Sequence, residues 1–359
     1  MQLVLVVALS FLSLCSATLT IQYPGGKTSS VNITQTNITL SEEAGKYVVL
    51  CDEATFIYVK MWGAGGAGGG DDDDIVSGGA GGFSEGNLNL TAGILYEFWV
   101  GEGGFAYTAD SRDGGGGGAS GIEYNGTAYL VAGGGGGAAG GTNSGGAGGG
   151  AFGQTGFHSD DGCGGGSPGT GGSQTSSGTG GQSERLPTTG NGQNGQNRNG
   201  GAGGSSGGHG TTALGFGNGG SGGEDPGDNG GGGGGGGYYG GGGGAADCTG
   251  GSGGGGSGYV HPDFISFGRS VAGNGITPGG NQDEQRKQAG NPGFGAGHDG
   301  NNGLIFIMAG IPPVYDCCVY SSVTTTHSMC TLSSVGCMEN CAGYALSSSK
   351  VYNCDSCFY

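Results

Sequence analysis

One dense carboxylate cluster, Asp71–Asp74 within GGGDDDDIVSGG, stands out among the residues that could do chemistry. Four adjacent carboxylates repel one another, and a hard cation such as Ca²⁺ would relieve that repulsion. The run lacks the interleaved glycine and the final glutamate of an EF-hand loop, so a solvated acidic loop is the favoured interpretation. The candidates for weak calcium binding are Asp71, Asp72, Asp73 and Asp74, and no other cofactor is predicted.

Catalytic motifs are matched only where abundant glycine makes chance matches easy. Gly165–Gly169 fits GxSxG, but the hydrolase motif needs a strand before the serine and a helix after it, and here glycine and proline flank Ser167. Windows of the GxGxxG type occur without the βαβ unit of a dinucleotide site. The histidines are isolated in sequence and are interpreted as exposed loop residues: His158, His209, His261, His298 and His327. We therefore predict a protein that is not an enzyme, with no catalytic and no cofactor-binding residues.

The cysteines indicate disulfide bonds. Eleven are present, and Cys15 lies in a predicted leader, which leaves an even number, as is usual in secreted proteins. Three of these lie in the body of the chain and seven near its end, so pairing all of them within one chain requires a disulfide between the two groups. The CxxC at Cys354–Cys357 is interpreted as structural, because no second CxxC or paired histidine completes a zinc site. The candidates are Cys51, Cys163, Cys248, Cys317, Cys318, Cys330, Cys337, Cys341, Cys354 and Cys357.

Two further features indicate an extracellular protein. Residues 1–17 combine the apolar run Leu3–Leu14 with the small residues Ser16 and Ala17, as in a cleaved signal peptide. No later apolar run approaches the ~20 residues of a membrane span. Four Asn-x-Ser/Thr sequons without proline predict a glycoprotein. They begin at Asn32, Asn37, Asn89 and Asn125.

The net charge limits the classes of partner. The chain has 28 acidic and 10 basic residues, for a formal net charge of −18. Binding of nucleic acid requires a basic surface, and anionic membranes attract basic segments, so neither is predicted as a partner. Cationic partners remain compatible with the charge, although a solvated surface that keeps the protein soluble is the simpler interpretation.

Glycine accounts for 100 of the 359 residues and decides how the chain can fold. Average usage is about 7%. Ordering a backbone residue costs roughly 1–2 kcal/mol, and glycine has no side chain to bury in return. The glycine-rich part therefore stays disordered unless a scaffold templates it and its backbone groups find partners.

The predicted scaffold is a system of β-strands that run into the glycine clusters. In TFIYVKMW the residues alternate between two faces, with Ile57, Val59 and Met61 on one of them. Further strands are predicted at KYVVLC, GNLNL, ILYEFWVGEGG, GTAYLVAGGGGG and LIFIMAG. Because the last strand follows glycine-rich residues from about 133 to 303, the glycine is an insertion between strands of one sheet system. Such an insertion costs little extra closure entropy.

Two conformations of this insertion fit the sequence. One is a flexible linker. The other is a set of extended threefold helices of the polyproline II type, whose outward N–H and C=O groups bond to neighbouring rods. In that case Gly230–Gly237 forms a rod about 25 Å long. The runs beside it would be Gly114–Gly118, Gly133–Gly137 and Gly240–Gly244.

Other residues would bound this array. Tyr238 and Tyr239 break the glycine rod and would cap it with aromatic surface, and Cys248 would pin it, in a disulfide with Cys163. By contrast, the stretch from about 170 to 201 is polar and irregular, and we predict that it forms a mobile loop.

The order of these blocks resembles a known extracellular family. VKMWGAGGAGGG, GNLNLTAGILYEFWVGEGG, GTAYLVAGGGGGA, GGGGGGGGYYGGGGG and GLIFIMAG are similar to the glycine-rich domain of the receptors anaplastic lymphoma kinase and leukocyte tyrosine kinase. The resemblance covers roughly residues 45 to 310. It implies a tumour-necrosis-factor-like β-sandwich with an inserted bundle of polyglycine helices, in a module that binds protein ligands in those receptors.

The chain also departs from those receptors. It has none of the kinase motifs VAIK, HRD and DFG, and no transmembrane helix follows the glycine-rich region. The tail from Ile311 has a cysteine order unlike that of the epidermal-growth-factor-like unit found at that place, and no ligand-contact residue can be transferred. We therefore divide the chain into a signal peptide (1–17), an N-terminal strand segment (18–44), a glycine-rich domain (45–310) and a cysteine-rich tail (311–359).

The predicted fold is mainly β, and the predicted function is structural or interactive. We expect a secreted, non-enzymatic protein of an extracellular matrix, adhesive or mineral-associated kind. Its partner would be an extracellular protein or matrix component, and self-association is a further candidate. The alternatives are a soluble ligand-binding module like a receptor ectodomain, and an ice-binding protein with a flat array of glycine rods.

Overall fold

The computed structural model describes residues 17–70, 76–106, 113–140, 144–158, 165–186, 189–204, 208–209, 213–224, 229–310, 315–321 and 326–332. The chain divides into two compact units, 1–309 and 310–359. The described part is mainly β, with one short 3₁₀-helix at Glu284–Arg286.

Sixteen strands are present among the described residues. They are β1 (Thr18–Gln22), β2 (Thr28–Asn32), β3 (Ile38–Leu40), β4 (Gly45–Cys51), β5 (Thr55–Trp62), β6 (Phe83–Leu90), β7 (Leu95–Val100), β8 (Ser120–Tyr124), β9 (Thr127–Ala132), β10 (Gly208–His209), β11 (Gly223–Glu224), β12 (Tyr259–Val260), β13 (Ile265–Val271), β14 (Leu304–Ala309), β15 (Tyr315–Ser321) and β16 (Thr326–Leu332).

Two antiparallel sheets form the scaffold of the first unit. One has seven strands in the order β12-β9-β8-β7-β4-β1-β2, and the other has five in the order β13-β6-β5-β14-β3. Side chains from both sheets meet in one hydrophobic core. Residues 18–44, which the sequence analysis set apart as a separate segment, supply β1 and β2 to one sheet and β3 to the other. They are therefore part of the scaffold.

Strand β5 shows how the sequence pattern places the core. Ile57, Val59 and Met61 are fully buried between the sheets, as their alternation predicts. On the opposite face Tyr58 donates a hydrogen bond to Glu85, and Lys60 forms an ion pair with Asp283 at 2.6 Å. The predicted strands at KYVVLC, GNLNL and LIFIMA are also present, within β4, β6 and β14, and β9 covers the predicted GTAYLVA from Thr127 onward.

The hairpin of β8 and β9 ends in a two-residue turn. Asn125 and Gly126 both have positive φ, 48° and 76°. This is the pattern of a type I′ turn, for which Asn-Gly is the preferred sequence because both residues tolerate the left-handed region. Tyr124 and Thr127 pair directly across the turn, so the conformation of the hairpin end is fixed.

The glycine segments lie between the strands and bond to one another through their backbones. In Gly231–Gly237, three consecutive N–H groups donate to three different neighbouring segments. The next three N–H groups donate to the same three segments in the same order. The donor and acceptor pairs, all at 2.7–3.0 Å, are Gly231–Gly204, Gly234–Gly201 and Gly237–Arg198; Gly232–Gly251 and Gly235–Gly254; and Gly233–Gly114 and Gly236–Gly117. The backbone therefore repeats its direction every three residues.

The carbonyl groups of the same segment follow the same repeat with three other neighbours. They accept from N–H groups of three segments, in the pairs Gly223–Gly231 and Gly220–Gly234; Gly244–Gly232 and Gly241–Gly235; and Gly137–Gly233 and Gly134–Gly236. Residues 231–237 are thus surrounded by six described segments. Their N–H groups are all paired, although no side chain takes part, which meets the requirement that buried backbone groups be bonded.

The segment from Gly240 to Asp247 shows the same pattern. Its N–H groups donate in turn to residues 190–196, 229–235 and 167–170. Two of these neighbours belong wholly or partly to the polar stretch of about 170–201 that the sequence analysis predicted to be a mobile loop. That prediction differs from the structure: Gly178 and Gly181 donate to Gly240 and Gly243, at 2.9 Å each. The described residues of this stretch belong to the same hydrogen-bonded array.

Two buried carboxylates accept N–H groups at the ends of the glycine segments. Asp113 accepts from Gly140 at 2.9 Å and from Gly230 at 3.0 Å. Asp247 is fully buried, and it accepts from the backbone of Cys248, Glu184 and Arg185 and from the hydroxyl of Ser183. Since these side chains occupy acceptor positions that a further carbonyl would fill, they terminate the array.

Cys51 departs from the predicted disulfide pattern. Its side chain points into the core from β4, is fully buried, and is a free thiol. Burial raises the pKa of this thiol. The candidate Cys51 disulfide is therefore absent, because the inward position of the residue places it among apolar side chains of the core.

The second unit contains one described antiparallel pair, β15 with β16. Its register sets Cys317 opposite Cys330. The two cysteines are thus direct cross-strand neighbours.

Candidate binding cleft at the tyrosine end of the glycine segments

A cleft lies where two tyrosines end the central glycine segment. A Cβ at Gly236 would overlap the carbonyl oxygen of Gly217, so this position has no room for a side chain. Tyr238 and Tyr239 follow directly where the segment leaves the array. The Tyr238 ring stacks on Tyr259 with centroids 4.0 Å apart and planes 8° apart, and Tyr239 meets Tyr238 edge-on at 5.2 Å. All three side chains are half-buried.

The cleft has a volume of about 200 Å³. Its walls come from the β8–β9 hairpin, from the polar stretch and from the tyrosine cluster. The lining residues are Gly126, Thr127, Ala128, Asn197, Arg198, Tyr238, Tyr239, Tyr259 and His261. These residues are distant in sequence, and the glycine array brings them together.

Arg198 ties two of these walls together. One guanidinium nitrogen donates to the carbonyl oxygen of Gly126 at 3.0 Å, and another lies 2.7 Å from a carboxylate oxygen of Glu123. The guanidinium also lies over the Phe216 ring, 4.4 Å from its centroid. Arg198 has a positive φ of 74°, which is uncommon for a residue with a side chain. The position of the arginine is fixed by these contacts, and its charge is balanced by Glu123.

A row of aromatic rings continues from the cleft along the surface. His261 lies 6.0 Å from Tyr259 and 4.4 Å from Phe264, and Phe264 stacks on Tyr129 at 4.4 Å. Phe264 is 44% exposed. The row therefore offers ring faces and edges to solvent next to the cleft.

The electrostatics of the cleft favour a neutral ligand. Burial raises the pKa of the Glu123 carboxyl, and the Arg198 guanidinium offsets this only in part. Burial, and then the neighbouring Tyr238, raise the pKa of Tyr259, so its hydroxyl remains protonated at neutral pH. The lining thus supplies hydroxyl, amide and imidazole groups and aromatic faces, which suit recognition by stacking and hydrogen bonding.

No family model matches the chain, and no curated protein is significantly similar to it.

The four sequon asparagines lie at the surface. Asn37, Asn89 and Asn125 are exposed, and Asn32 is partly exposed at the end of β2. The side-chain oxygen of Asn32 accepts from the backbone and from the hydroxyl of Thr34, at 3.0 and 2.7 Å. All four positions are thus compatible with the predicted glycosylation, which stays a prediction.

Several predicted site residues lie outside the described residues. These are the acidic run Asp71–Asp74, together with Cys163, Cys337, Cys341, Cys354 and Cys357. Cys248 is disulfide-bonded, and its predicted pairing with Cys163 stays a prediction. Within the described part of the chain, no group of three or more His, Cys, Asp or Glu residues could hold a metal ion, and no helix is long and apolar enough to cross a membrane.

Sequence reasoning identified the tyrosine pair but missed most of the cleft. It interpreted His261 as an isolated loop residue, and it gave no role to Asn197, Arg198 or Tyr259. These residues are brought together by contacts between remote segments, such as the hydrogen bonds from Tyr238 N–H to Ser257 and from Arg198 N–H to Tyr238. No local pattern in the sequence indicates which remote segments are hydrogen-bonded to one another.

Proposed function

We propose that this chain is a secreted, non-enzymatic protein with a structural or interaction role in the extracellular space, of a matrix, adhesive or mineral-associated kind. A rigid backbone-bonded array would hold a recognition surface on a β-scaffold. The observation that carries the proposal is the threefold hydrogen-bond repeat of Gly231–Gly237, with six neighbouring segments. Such an array resists deformation because each segment is bonded in every direction around its axis.

We further propose that the glycine segments are polyglycine helices with three residues per turn. In such a helix successive N–H groups point about 120° apart, which accounts for the rotation among three neighbours. Each hydrogen bond contributes only about 1 kcal/mol net, so the array depends on many bonds and on strands that hold its ends. The two antiparallel sheets with a shared core support a tumour-necrosis-factor-like sandwich as that scaffold.

A ligand-binding role like that of a receptor ectodomain is the second candidate. The tyrosine cleft favours it, because the cleft gathers aromatic and polar groups from distant segments around a fixed arginine. In this case the binding partner would be an extracellular protein. An ice-binding role remains the third candidate, and a measurement of freezing hysteresis tests it.

Backbone amide hydrogen exchange on the secreted, oxidised protein tests the proposed array. We expect slow exchange throughout 230–237 and 240–246, because these N–H groups are buried and bonded. The exposed residues Ala151 and Phe152 serve as the internal reference for fast exchange. If the glycine amides exchanged as fast as this reference, the segments would be flexible linkers, and the rigid-array proposal would be wrong.

A further inference from the structure

The sequon at Asn125 adjoins the tyrosine cleft. Asn125 is exposed in the type I′ turn, and the next two residues of the sequon, Gly126 and Thr127, line the cleft. Arg198 holds the carbonyl oxygen of Gly126 at 3.0 Å. A sugar chain attached to Asn125 would therefore leave the protein from a fixed position at the edge of the cleft.

We propose that the N-glycan of Asn125 folds back and that its innermost sugars occupy the tyrosine cleft. The glycan would then be a part of the recognition surface and would cover the aromatic rings. This inference rests on the proposed secretion of the protein, since N-glycans are added only in the secretory pathway.

The chemistry of the lining matches a neutral sugar. A pyranose ring has an apolar C–H face that packs on aromatic rings, and hydroxyl and acetamido groups that hydrogen-bond at its edge. The cleft offers Tyr238 and Tyr239 for the first kind of contact, and Asn197, Thr127 and His261 for the second. An anionic ligand would need an unbalanced positive charge, whereas the Arg198 guanidinium is already paired with Glu123 at 2.7 Å.

The size of the cleft also fits this occupant. Its volume of about 200 Å³ is below the roughly 300–1,000 Å³ of pockets that enclose a drug-sized ligand. The cleft is therefore suited to a small ring from a chain that is tethered next to it. Tethering raises the effective concentration of the sugar, so a shallow cleft suffices.

The other three sequons provide internal controls. Asn32, Asn37 and Asn89 lie on β2, before β3 and on β6, and none of them lines the cleft. Asn89 is the control site most similar to Asn125, because its side chain is exposed and its backbone is held in place. It lies on β6, which pairs with β5 on one side and β13 on the other. A glycan there has no neighbouring aromatic cleft of this kind.

The test compares the release of each glycan from the native glycoprotein by peptide-N-glycosidase. Glycopeptide mass spectrometry first establishes which sequons are occupied and then follows the release at each site. If the Asn125 glycan is docked in nine-tenths of the molecules, its release should be about tenfold slower than at Asn89. Unfolding the protein should remove the difference.

Two variants test whether the cleft is what protects the Asn125 glycan from release. In Tyr239→Ala the release at Asn125 should rise to the rate at Asn89, while the rate at Asn89 stays unchanged. Asn125→Gly removes the sequon, suits the positive φ of 48° at this turn position and leaves every residue that lines the cleft unchanged, so this variant should bind added N,N′-diacetylchitobiose, and the glycosylated protein should not. This second variant keeps the test valid if Tyr239→Ala fails to fold.

The outcomes separate this inference from the proposed function. An Asn125 glycan that is released as fast as the Asn89 glycan, or an empty Asn125 sequon beside occupied ones, would overturn the docking and leave secretion intact. If no sequon were occupied, the docking would also be overturned, whereas the proposed function would still be tested by hydrogen exchange in the glycine segments. A proline-rich peptide that binds to the glycosylated cleft would also overturn the docking and favour a protein ligand.

Discussion

At the scale of single residues, the absence of a Cβ is what lets the glycine segments approach one another. A Cβ on Gly234 would overlap the carbonyl oxygen of Gly241, and backbone cannot move aside as a flexible side chain can. The same residue donates to Gly201 and accepts from Gly220, at 2.8 and 2.7 Å. An added methyl group would therefore disturb several segments at once.

This argument predicts that Gly234→Ala destabilises the protein strongly. We expect a loss of at least about 1–3 kcal/mol, the usual cost of overpacking, and faster amide exchange in the adjoining segments. Gly25→Ala is the matched control, because a Cβ there meets only the Glu43 carboxylate, at 3.6 Å. Chemical denaturation of both variants measures the difference, and equal stabilities would show that the segments are not closely packed.

At the scale of elements, each glycine segment needs polar groups to end it. Asp247 does this for the segment that begins at Gly240, and it is fully buried. Burial by itself would raise the pKa of this carboxyl, but hydrogen bonds from Cys248, Ser183 and the backbone of Arg185 outweigh burial and lower the pKa. The ionised form is thus the one that the folded protein stabilises.

The lowered pKa of Asp247 predicts how the stability depends on pH. The stability that ionised Asp247 contributes to the folded protein is fully present above the pKa of an unfolded aspartate, about 3.9. This stability is lost as the pH falls through the lower pKa of Asp247 in the folded state. Asp247→Asn should cost about 1–3 kcal/mol at neutral pH, and the stability of this variant should vary less with pH below about pH 4 than that of the unmodified protein. Asp263→Asn, at an exposed position, is the control. Parallel pH profiles of Asp247→Asn and the unmodified protein would contradict this assignment.

The strands were predictable from the sequence, whereas the limits of the array were not. Strand β5 combines β-branched residues with strict alternation, so its two faces could be assigned from the sequence alone. The stretch 170–201 was misinterpreted because its polar composition is typical of loops. The missed signal is the spacing of its glycines: Gly178 and Gly181 are three residues apart and bond to the same neighbour. A period of three in glycine alone thus predicts a place in the array even where the intervening residues are polar.

At the scale of the whole molecule, the burial of apolar side chains between the sheets offsets the backbone entropy that the glycine segments lose on folding. Ordering each glycine costs roughly 1–2 kcal/mol of backbone entropy, whereas a backbone hydrogen bond contributes only about 1 kcal/mol of net stability. The strands β5, β9 and β14 hold the ends of the glycine segments in place, and their apolar core supplies the burial that the glycines lack. The cleft then forms where the array ends, from residues that no single element could bring together.

The cysteines lead to a prediction about the assembly of the molecule. If residues 1–17 are removed as the sequence predicts, ten of the eleven cysteines remain, and Cys51 is a free buried thiol. The other nine cannot all pair within one chain. Cys248 is already bonded, and Cys317 lies opposite Cys330 in the register of β15 and β16.

We therefore predict that the protein, if it is secreted as proposed, forms a covalent dimer through one remaining cysteine of each chain. A non-reducing gel should show twice the monomer mass, and reduction should restore the monomer. Titration should find one thiol per chain, reactive only after unfolding because Cys51 is buried in the core. Cys51→Ala should remove that thiol and leave the dimer intact.

A monomer with two thiols per chain would contradict the intermolecular disulfide, and a protein without any thiol would contradict the free state of Cys51. The dimer would place two copies of the tyrosine cleft in one covalent assembly, and two linked sites bind a multivalent matrix more tightly than one.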